Sequence, residues 1–220
     1  MNDTTSSDNA YDLDFHFDPG CPFAWQTSRW VTRVAELTGI SVHWRFISLK
    51  FLNENQPEND YTRGHIPTHR YLRVLAAIRA EMGDEPIWRL YTAWGQRMWY
   101  SALPEGGPAA LATGIDVAEL LRSEGIDERF AAEADNEAWD TVIRSETDAA
   151  IDRTGPDVGT PILTFWPTGN AYFGPVISSL PNDEDAVKIY DALRTLVDFD
   201  TFSEIKRTKR PTLDLPVFAS

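Results

Sequence analysis

Apolar and polar residues alternate with a period of two along residues 11–17, and this alternation predicts a β-strand. Turn residues follow, and residues 22–37 then carry apolar side chains at helical spacing until Gly39 ends the predicted helix. A second strand is predicted over residues 41–47. Strand, helix and strand in so short a stretch indicate a βαβ unit, with Cys21 at its first turn.

The middle of the chain has a different pattern. Between residues 61 and 153 the apolar positions recur at helical spacing, and turn-forming residues divide the stretch into four or five predicted helices. Strand patterns return at residues 162–166 and 171–173, joined by a predicted hairpin turn, and a last helix is expected over residues 183–196. The chain therefore reads as a mixed α/β domain that is interrupted by a helical insertion.

Composition narrows the class of protein. The 220 residues are 42% hydrophobic, enough for a sizeable core, and the net charge is -14, which disfavours binding to nucleic acid. The polar start of the chain does not resemble a secretory signal, and no apolar run reaches the ~18 residues of a membrane span. The single cysteine excludes an internal disulfide and fits a reducing compartment. We expect a cytoplasmic protein that binds neither nucleic acid nor membranes.

Cys21 is the first candidate for chemistry. It directly precedes a predicted helix, where free amide groups and the helix dipole stabilise a thiolate, so we expect a lowered pKa and a reactive thiol. Pro22 suits the first helical turn because an amide hydrogen there would be unpaired in any case. The alternative is that a lone cysteine is a small buried hydrophobe.

Two further segments, residues 159–161 and 206–210, are candidates for contact with a ligand. Gly159-Thr160-Pro161 stands before a strand, where a cis Thr160–Pro161 bond would present backbone groups of Thr160 to a ligand, although the position alone does not decide the isomer. The basic run 206–210 could hold an anion, but closing a helix C-terminus is the simpler interpretation. Asp14 is expected on the solvent side of the first strand.

Metal binding is not expected. His65 and His69 have the spacing of a metal-binding helix, but Pro67 separates them and the sequence offers no evident third ligand.

The order of these elements resembles the DsbA-like branch of the thioredoxin superfamily, and within it the actinobacterial mycothiol-dependent nitroreductase family. The matching segments span nearly the whole chain: Phe17-Asp18-Pro19 with Cys21-Pro22, Trp25 with Thr27-Ser28-Arg29-Trp30, Ser48-Leu49 with Leu52-Asn53-Glu54-Asn55, Asp157-Val158-Gly159-Thr160-Pro161, Phe173-Gly174-Pro175-Val176, and Glu204 with Lys206-Arg207-Thr208.

The resemblance implies a thioredoxin-like fold with an inserted α-helical subdomain, a cis bond before Pro161, mycothiol as the redox partner and a homodimer. We assign the thioredoxin-like domain to residues 11–55 and 156–205, the insertion to 56–155 and a C-terminal tail to 206–220. The expected catalytic residue is Cys21. The residues expected to bind the thiol or the substrate are Pro22, Phe23, Ala24, Trp25, Gly159, Thr160 and Pro161.

One departure from the family pattern limits the mechanism. Ala24 stands where dithiol members have a second cysteine, so any oxidised state of Cys21 must be a mixed disulfide, an intermolecular disulfide or a sulfenic acid. The leading hypothesis is a thiol-dependent oxidoreductase that acts on a disulfide or electrophilic substrate and is resolved by a low-molecular-weight thiol. The alternatives are a thiol transferase or isomerase resembling kappa-class glutathione transferases, and a non-catalytic binding protein.

Overall fold

A computed structural model describes residues 10–218. The strands are β1 (Leu13–Phe17), β2 (Val42–Phe46), β3 (Ile162–Phe165) and β4 (Asn170–Phe173). The helices are α1 (Pro22–Thr38), α2 (Leu49–Leu52), α3 (Asp60–Arg63), α4 (His65–Met82), α5 (Glu85–Trp99), α6 (Gly107–Gly114), α7 (Val117–Ser123), α8 (Asp140–Thr154) and α9 (Asp183–Leu196). Residues 128–135 and 137–139 form short 3-10 helices, where the sequence pattern predicts an α-helix.

The strands form one sheet in the order β2-β1-β3-β4. β1 pairs with β2 in parallel and with β3 antiparallel, and β3 pairs with β4 antiparallel. The register sets Phe15 opposite both Trp44 and Leu163. The predicted βαβ unit and the predicted hairpin are therefore both present, and β1 lies in the centre of the sheet.

Aromatic side chains cover one face of this sheet. The Phe17 ring stacks on Tyr91 of α5, and Trp44 stacks on Trp88 of the same helix, with ring centroids 4.0 Å apart in each pair. Helices α1 and α9 pack beside them, and the Trp30 indole donates a hydrogen bond to the carbonyl of Ala186. A helix from the segment between β2 and β3 thus contributes to the same core as the sheet, while the domain boundaries assigned from the sequence stay a prediction.

The second face of the sheet is also covered, which corrects one expectation. Helix α8 packs on this face, where the Phe46 amide donates to Glu146 at 2.7 Å. Asp14 is only 7% exposed, and its carboxylate lies 3.4 Å from His43 Nδ1. The prediction that Asp14 faces solvent is therefore wrong, because a period-two pattern does not reveal that helices cover both faces.

The C-terminal segment differs from the expectation as well. Helix α9 ends at Leu196, and the basic run 206–210 lies in irregular chain beyond it. These residues do not close a helix C-terminus. No helix within residues 10–218 has the length and apolar character needed to cross a membrane.

Candidate active site

Cys21 is the residue that caps the N-terminus of α1. Its backbone is extended, and its sulfur accepts a hydrogen bond from the Ala24 amide at 3.4 Å. Pro22 follows as the first helical residue, where it forfeits no hydrogen bond. The sequence folds this way because the turn 18–20 ends β1 immediately before a proline-started helix, and the thiol is held at the end of the central strand.

The loop before β3 meets Cys21 from the other side. The Thr160–Pro161 peptide bond is cis, as predicted. The carbonyl of Thr160 lies 3.3 Å from Cys21 Sγ and accepts a hydrogen bond from the thiol. Thr160 also donates its hydroxyl to the His16 carbonyl, and the Pro161 carbonyl accepts from Gly174. The predicted approach of Thr160 to Cys21 is therefore confirmed, and the loop is fixed to both β1 and the chain after β4.

The acidity of Cys21 contradicts the sequence-based expectation. The residue is 7% exposed, and this burial raises the pKa of the thiol to about 12. The Ala24 amide acts in the opposite direction, while the nearby Asp18 carboxylate raises the pKa further. Helix amides stabilise a thiolate, but removal from water outweighs them here because a charged sulfur loses its hydration. The resting site holds a protonated thiol that donates to Thr160.

Asp18 is a component of the site that is not among the predicted site residues, although it belongs to the matching segment Phe17-Asp18-Pro19. Its side chain is fully buried and accepts hydrogen bonds from the Gly20 and Leu49 amides, both at 2.7 Å. Burial raises the pKa of this carboxyl to about 6 in spite of those bonds. Its position directly after an apolar strand and three residues before Cys21 was the available signal.

The inserted segment also reaches the site. A side chain added at Gly20 would lie 2.8 Å from Thr68 Cγ2 of α4, so the turn before Cys21 packs closely on that helix. Burial raises the pKa of Tyr61 in α3, and the charges of Cys21 and Asp18 raise that pKa further. Tyr61 remains 63% exposed, so it lies at the surface rather than in the core.

The other predicted site residues divide into two groups. Phe23 is partly exposed and Gly159 lines an adjacent cavity, so both are accessible from the site. Ala24 and Trp25 are buried at 0% and 1% exposure. The Trp25 ring packs edge-on against Tyr91, so its side chain belongs to the core next to the site. The binding roles that the sequence assigns to these residues stay predictions.

The two candidate metal ligands differ in their surroundings: His69 is held by two hydrogen bonds, whereas His65 Nε2 is buried with no hydrogen-bond partner among residues 10–218. His69 bonds through Nδ1 to Ser48 at 2.8 Å and through Nε2 to Asp140 at 3.0 Å, while burial lowers its pKa to about 4. His65 packs edge-on against Tyr61. Among residues 10–218, no group of three or more His, Cys, Asp or Glu side chains is arranged to hold a metal ion.

Comparison with known proteins identifies the family. The sequence model described as Rv2466c-like, mycothiol-dependent nitroreductase Rv2466c, matches residues 20–207. The chain belongs to this family. Membership in the Rv2466c-like family makes it an enzyme of thiol-dependent oxidoreduction. A relative, Rv2286c of Mycobacterium tuberculosis, is 28% identical over 204 residues, covering 90% of this chain and 83% of the relative.

Solved structures support the fold of this Rv2466c-like protein. The cytosolic disulfide reductase DsbM from Pseudomonas aeruginosa, solved with GSH, superposes with a TM-score of 0.51 at 16% identity, over 84% of this chain and 99% of that one. DsbA from the same organism gives a TM-score of 0.50 at 17% identity, over 89% and 90% of the two chains. The predicted thioredoxin-like class with inserted helices is therefore confirmed.

Proposed function

We propose that this protein is a single-cysteine reductase of disulfide or electrophilic substrates, and that a low-molecular-weight thiol, mycothiol, regenerates Cys21. The observation that carries the proposal is the contact of Cys21 Sγ with the Thr160 carbonyl, 3.3 Å away, in a chain without a second cysteine. This arrangement holds one sulfur against a loop whose backbone groups can align a mixed disulfide. The family's mycothiol dependence supports the choice of thiol.

The proposed cycle has two exchanges. Cys21 attacks one sulfur of a disulfide R–S–S–R′, forming Cys21–S–S–R and releasing R′–S⁻, which takes up the proton that Cys21 gives up. The thiolate of the small thiol R″–S⁻ then attacks the sulfur of R, forming R″–S–S–R and returning Cys21 to its thiol after reprotonation. The net reaction converts R–S–S–R′ and R″–SH into R′–SH and the mixed disulfide R″–S–S–R.

The raised pKa of Cys21 favours this direction of electron flow. A site that stabilises the thiolate makes the disulfide of that cysteine a strong oxidant. A buried, protonated thiol such as Cys21 has the opposite effect, because its mixed disulfide is then the more stable form and the thiol acts as a reductant. A thiol of high pKa is also a poor leaving group and supplies little thiolate near neutral pH, so we expect both exchanges to be slow. We propose that the enzyme works in the cytoplasm, and as a homodimer.

The same observation supports one second candidate, a thiol transferase or isomerase. In that reaction a bound small thiol would be the nucleophile, and Cys21 would remain a neutral donor to Thr160. Turnover of a disulfide substrate by the wild type and by Cys21→Ser, with and without reduced mycothiol, separates the two. The proposal predicts activity that requires mycothiol and falls by more than about 1000-fold in Cys21→Ser. Activity retained in Cys21→Ser would favour the transferase, and ligand binding without any turnover would favour a binding protein.

A further inference from the structure

A large cavity adjoins the candidate active site. Its volume is about 1400 Å³, and it is lined by β4 on one side and by segment 200–211 on the other. β4 is the last strand of the sheet, and the Tyr172 hydroxyl ties it to the Phe202 carbonyl at 2.7 Å. Ligand sites commonly enclose about 300–1,000 Å³, so this space can hold a molecule of substantial size.

Cys21 is not among the lining residues, but three structural links join the cavity to the active site. Gly159 lines it and directly precedes Thr160, whose carbonyl touches Cys21. The guanidinium of Arg210 lies 5.5 Å from the centroid of the Phe23 ring, two residues beyond Cys21. The wall at Pro175 is fixed to α1 by the Thr27 hydroxyl, which donates to its carbonyl at 2.8 Å. A ligand held in the cavity therefore lies against the loop that contacts Cys21.

The charges of the cavity differ from those of the protein as a whole. Most Lys and Arg side chains of this acidic chain form salt bridges, but Arg153, Arg207 and Arg210, which line the cavity, pair with no carboxylate among residues 10–218. Of the acidic residues in the lining, Glu204 is paired with Lys206 at 3.6 Å.

Asp157 and Asp200 are the other acidic residues of the lining, so the unpaired guanidinium groups outnumber the unpaired carboxylates. Guanidinium groups bind carboxylate and phosphate through paired, charge-assisted hydrogen bonds.

Apolar surface completes the cavity. Tyr172, Phe173, Phe202 and Ile177 line it, and Phe173 is 37% exposed. Apolar walls with a few charged groups are the usual composition of a site that binds the body of a ligand by contact and fixes its orientation by charge.

We propose that this cavity binds the substrate, and that the substrate is an anionic molecule with an apolar body, its carboxylate or phosphate held by Arg207 and Arg210. The proposal rests on the proposed function in one respect, that Cys21 is the group that reacts with the bound molecule. It assigns Arg207 and Arg210 of the basic run 206–210, for which the sequence pattern favours closure of a helix end over anion binding, to substrate selection.

The test compares an anionic with a neutral disulfide in single turnover. The probes are 5,5′-dithiobis(2-nitrobenzoate) and 2,2′-dithiodipyridine; each forms a mixed disulfide with Cys21 and releases one chromophoric thiol. The Arg207→Gln/Arg210→Gln variant should react about tenfold more slowly with the anionic probe and within about twofold of wild type with the neutral one. Lys209→Gln is the matched control, because Lys209 belongs to the same segment but is absent from the lining, and it should leave both rates unchanged. Equal losses with both probes, or no loss with either, would overturn the proposal.

A binding measurement separates this inference from the proposed function. The affinity of 2-nitrobenzoate and of nitrobenzene for the Cys21→Ser protein is measured by calorimetry, with and without the double Arg substitution. We expect 2-nitrobenzoate to bind and to lose about tenfold in affinity in the double variant, while nitrobenzene is unaffected. If Cys21 fails to react with any disulfide but this pattern is found, the cavity assignment stands and the redox proposal fails. The absence of a preference for the anion would refute the cavity assignment itself.

Discussion

Gly95 of α5 occupies a position where the structure leaves no room for a larger residue. A methyl group added there would lie 2.1 Å from Cζ3 and 2.2 Å from Cε3 of the Trp25 ring. Trp25 cannot move aside, because its ring packs against Tyr91 and the Arg29 guanidinium lies 3.8 Å from the ring centroid. Gly95→Ala must therefore displace a buried indole or the helix by about 1 Å or more, since ordinary contacts begin near ~3.4 Å.

The magnitude follows from two opposing effects. Alanine gains about 1 kcal/mol over glycine inside a helix. Overpacking of a well-filled core costs about 1–3 kcal/mol, and more where a rigid aromatic ring is the neighbour. Because the clash is with a rigid ring, the cost lies at the upper end of that range. We therefore expect Gly95→Ala to lower the free energy of unfolding by about 1–2 kcal/mol net, measured by urea denaturation followed by circular dichroism.

Gly114, the last residue of α6, is the matched control for this substitution. A methyl group added there would meet no atom within 4 Å. Gly114→Ala should leave the stability unchanged or raise it by up to about 1 kcal/mol. If Gly95→Ala is as stable as the wild type, or gains stability as Gly114→Ala does, the packing of Trp25 against α5 is described wrongly. Because Trp25 lies one helical turn beyond Cys21, the destabilised variant should also show an altered rate of Cys21 alkylation.

Three further predictions concern charge and the missing second thiol. The rate of Cys21 alkylation by iodoacetamide should keep rising above pH 9, because burial raises the thiol pKa to about 12, and a plateau at or below about 8.5 would refute this. Ala24→Cys should form an intramolecular disulfide on mild oxidation and should no longer accumulate a mixed disulfide on Cys21. The same yield of mixed disulfide as in the wild type would show that a thiol at position 24 does not react with Cys21. Burial lowers the pKa of His43, but hydrogen bonds to Asp14 and Asp84 outweigh it and raise that pKa to about 9. The stabilisation by charged His43 is therefore complete below about pH 6.5 and is lost as the pH rises to 9; with allowance for solvent screening it amounts to about 1–2 kcal/mol. The difference in free energy of unfolding between the wild type and His43→Gln should therefore shrink over this pH range. A constant difference would contradict the raised pKa of His43.

Local patterns predicted most of the fold. The alternation at 11–17 and the proline-to-glycine span 22–39 correspond to β1 and α1, and α9 has the predicted bounds 183–196. These elements follow from residues within one or two turns of each other. The 3-10 segment 128–135 was predicted as an α-helix, since its cap Asp127 suits either helix type.

Long-range burial is what the sequence could not supply. The amides that stabilise a Cys21 thiolate are local and were predicted, but the packing that removes the sulfur from water comes from Thr160, 139 residues away. The burial of Asp14 and the approach of Arg210 to Phe23 likewise join distant parts of the chain. The sign of the Cys21 pKa shift and the basic cavity therefore became visible only in the folded chain.

The central claim is that Cys21 alone carries the substrate or thiol as a mixed disulfide. Intact-protein mass spectrometry after incubation with oxidised mycothiol tests it most directly. We expect an adduct of one mycothiol per chain, located on Cys21, absent from Cys21→Ser, and removed by excess reduced mycothiol at least as fast as turnover proceeds. Turnover without any adduct on Cys21, or at the same rate in Cys21→Ser, would contradict it.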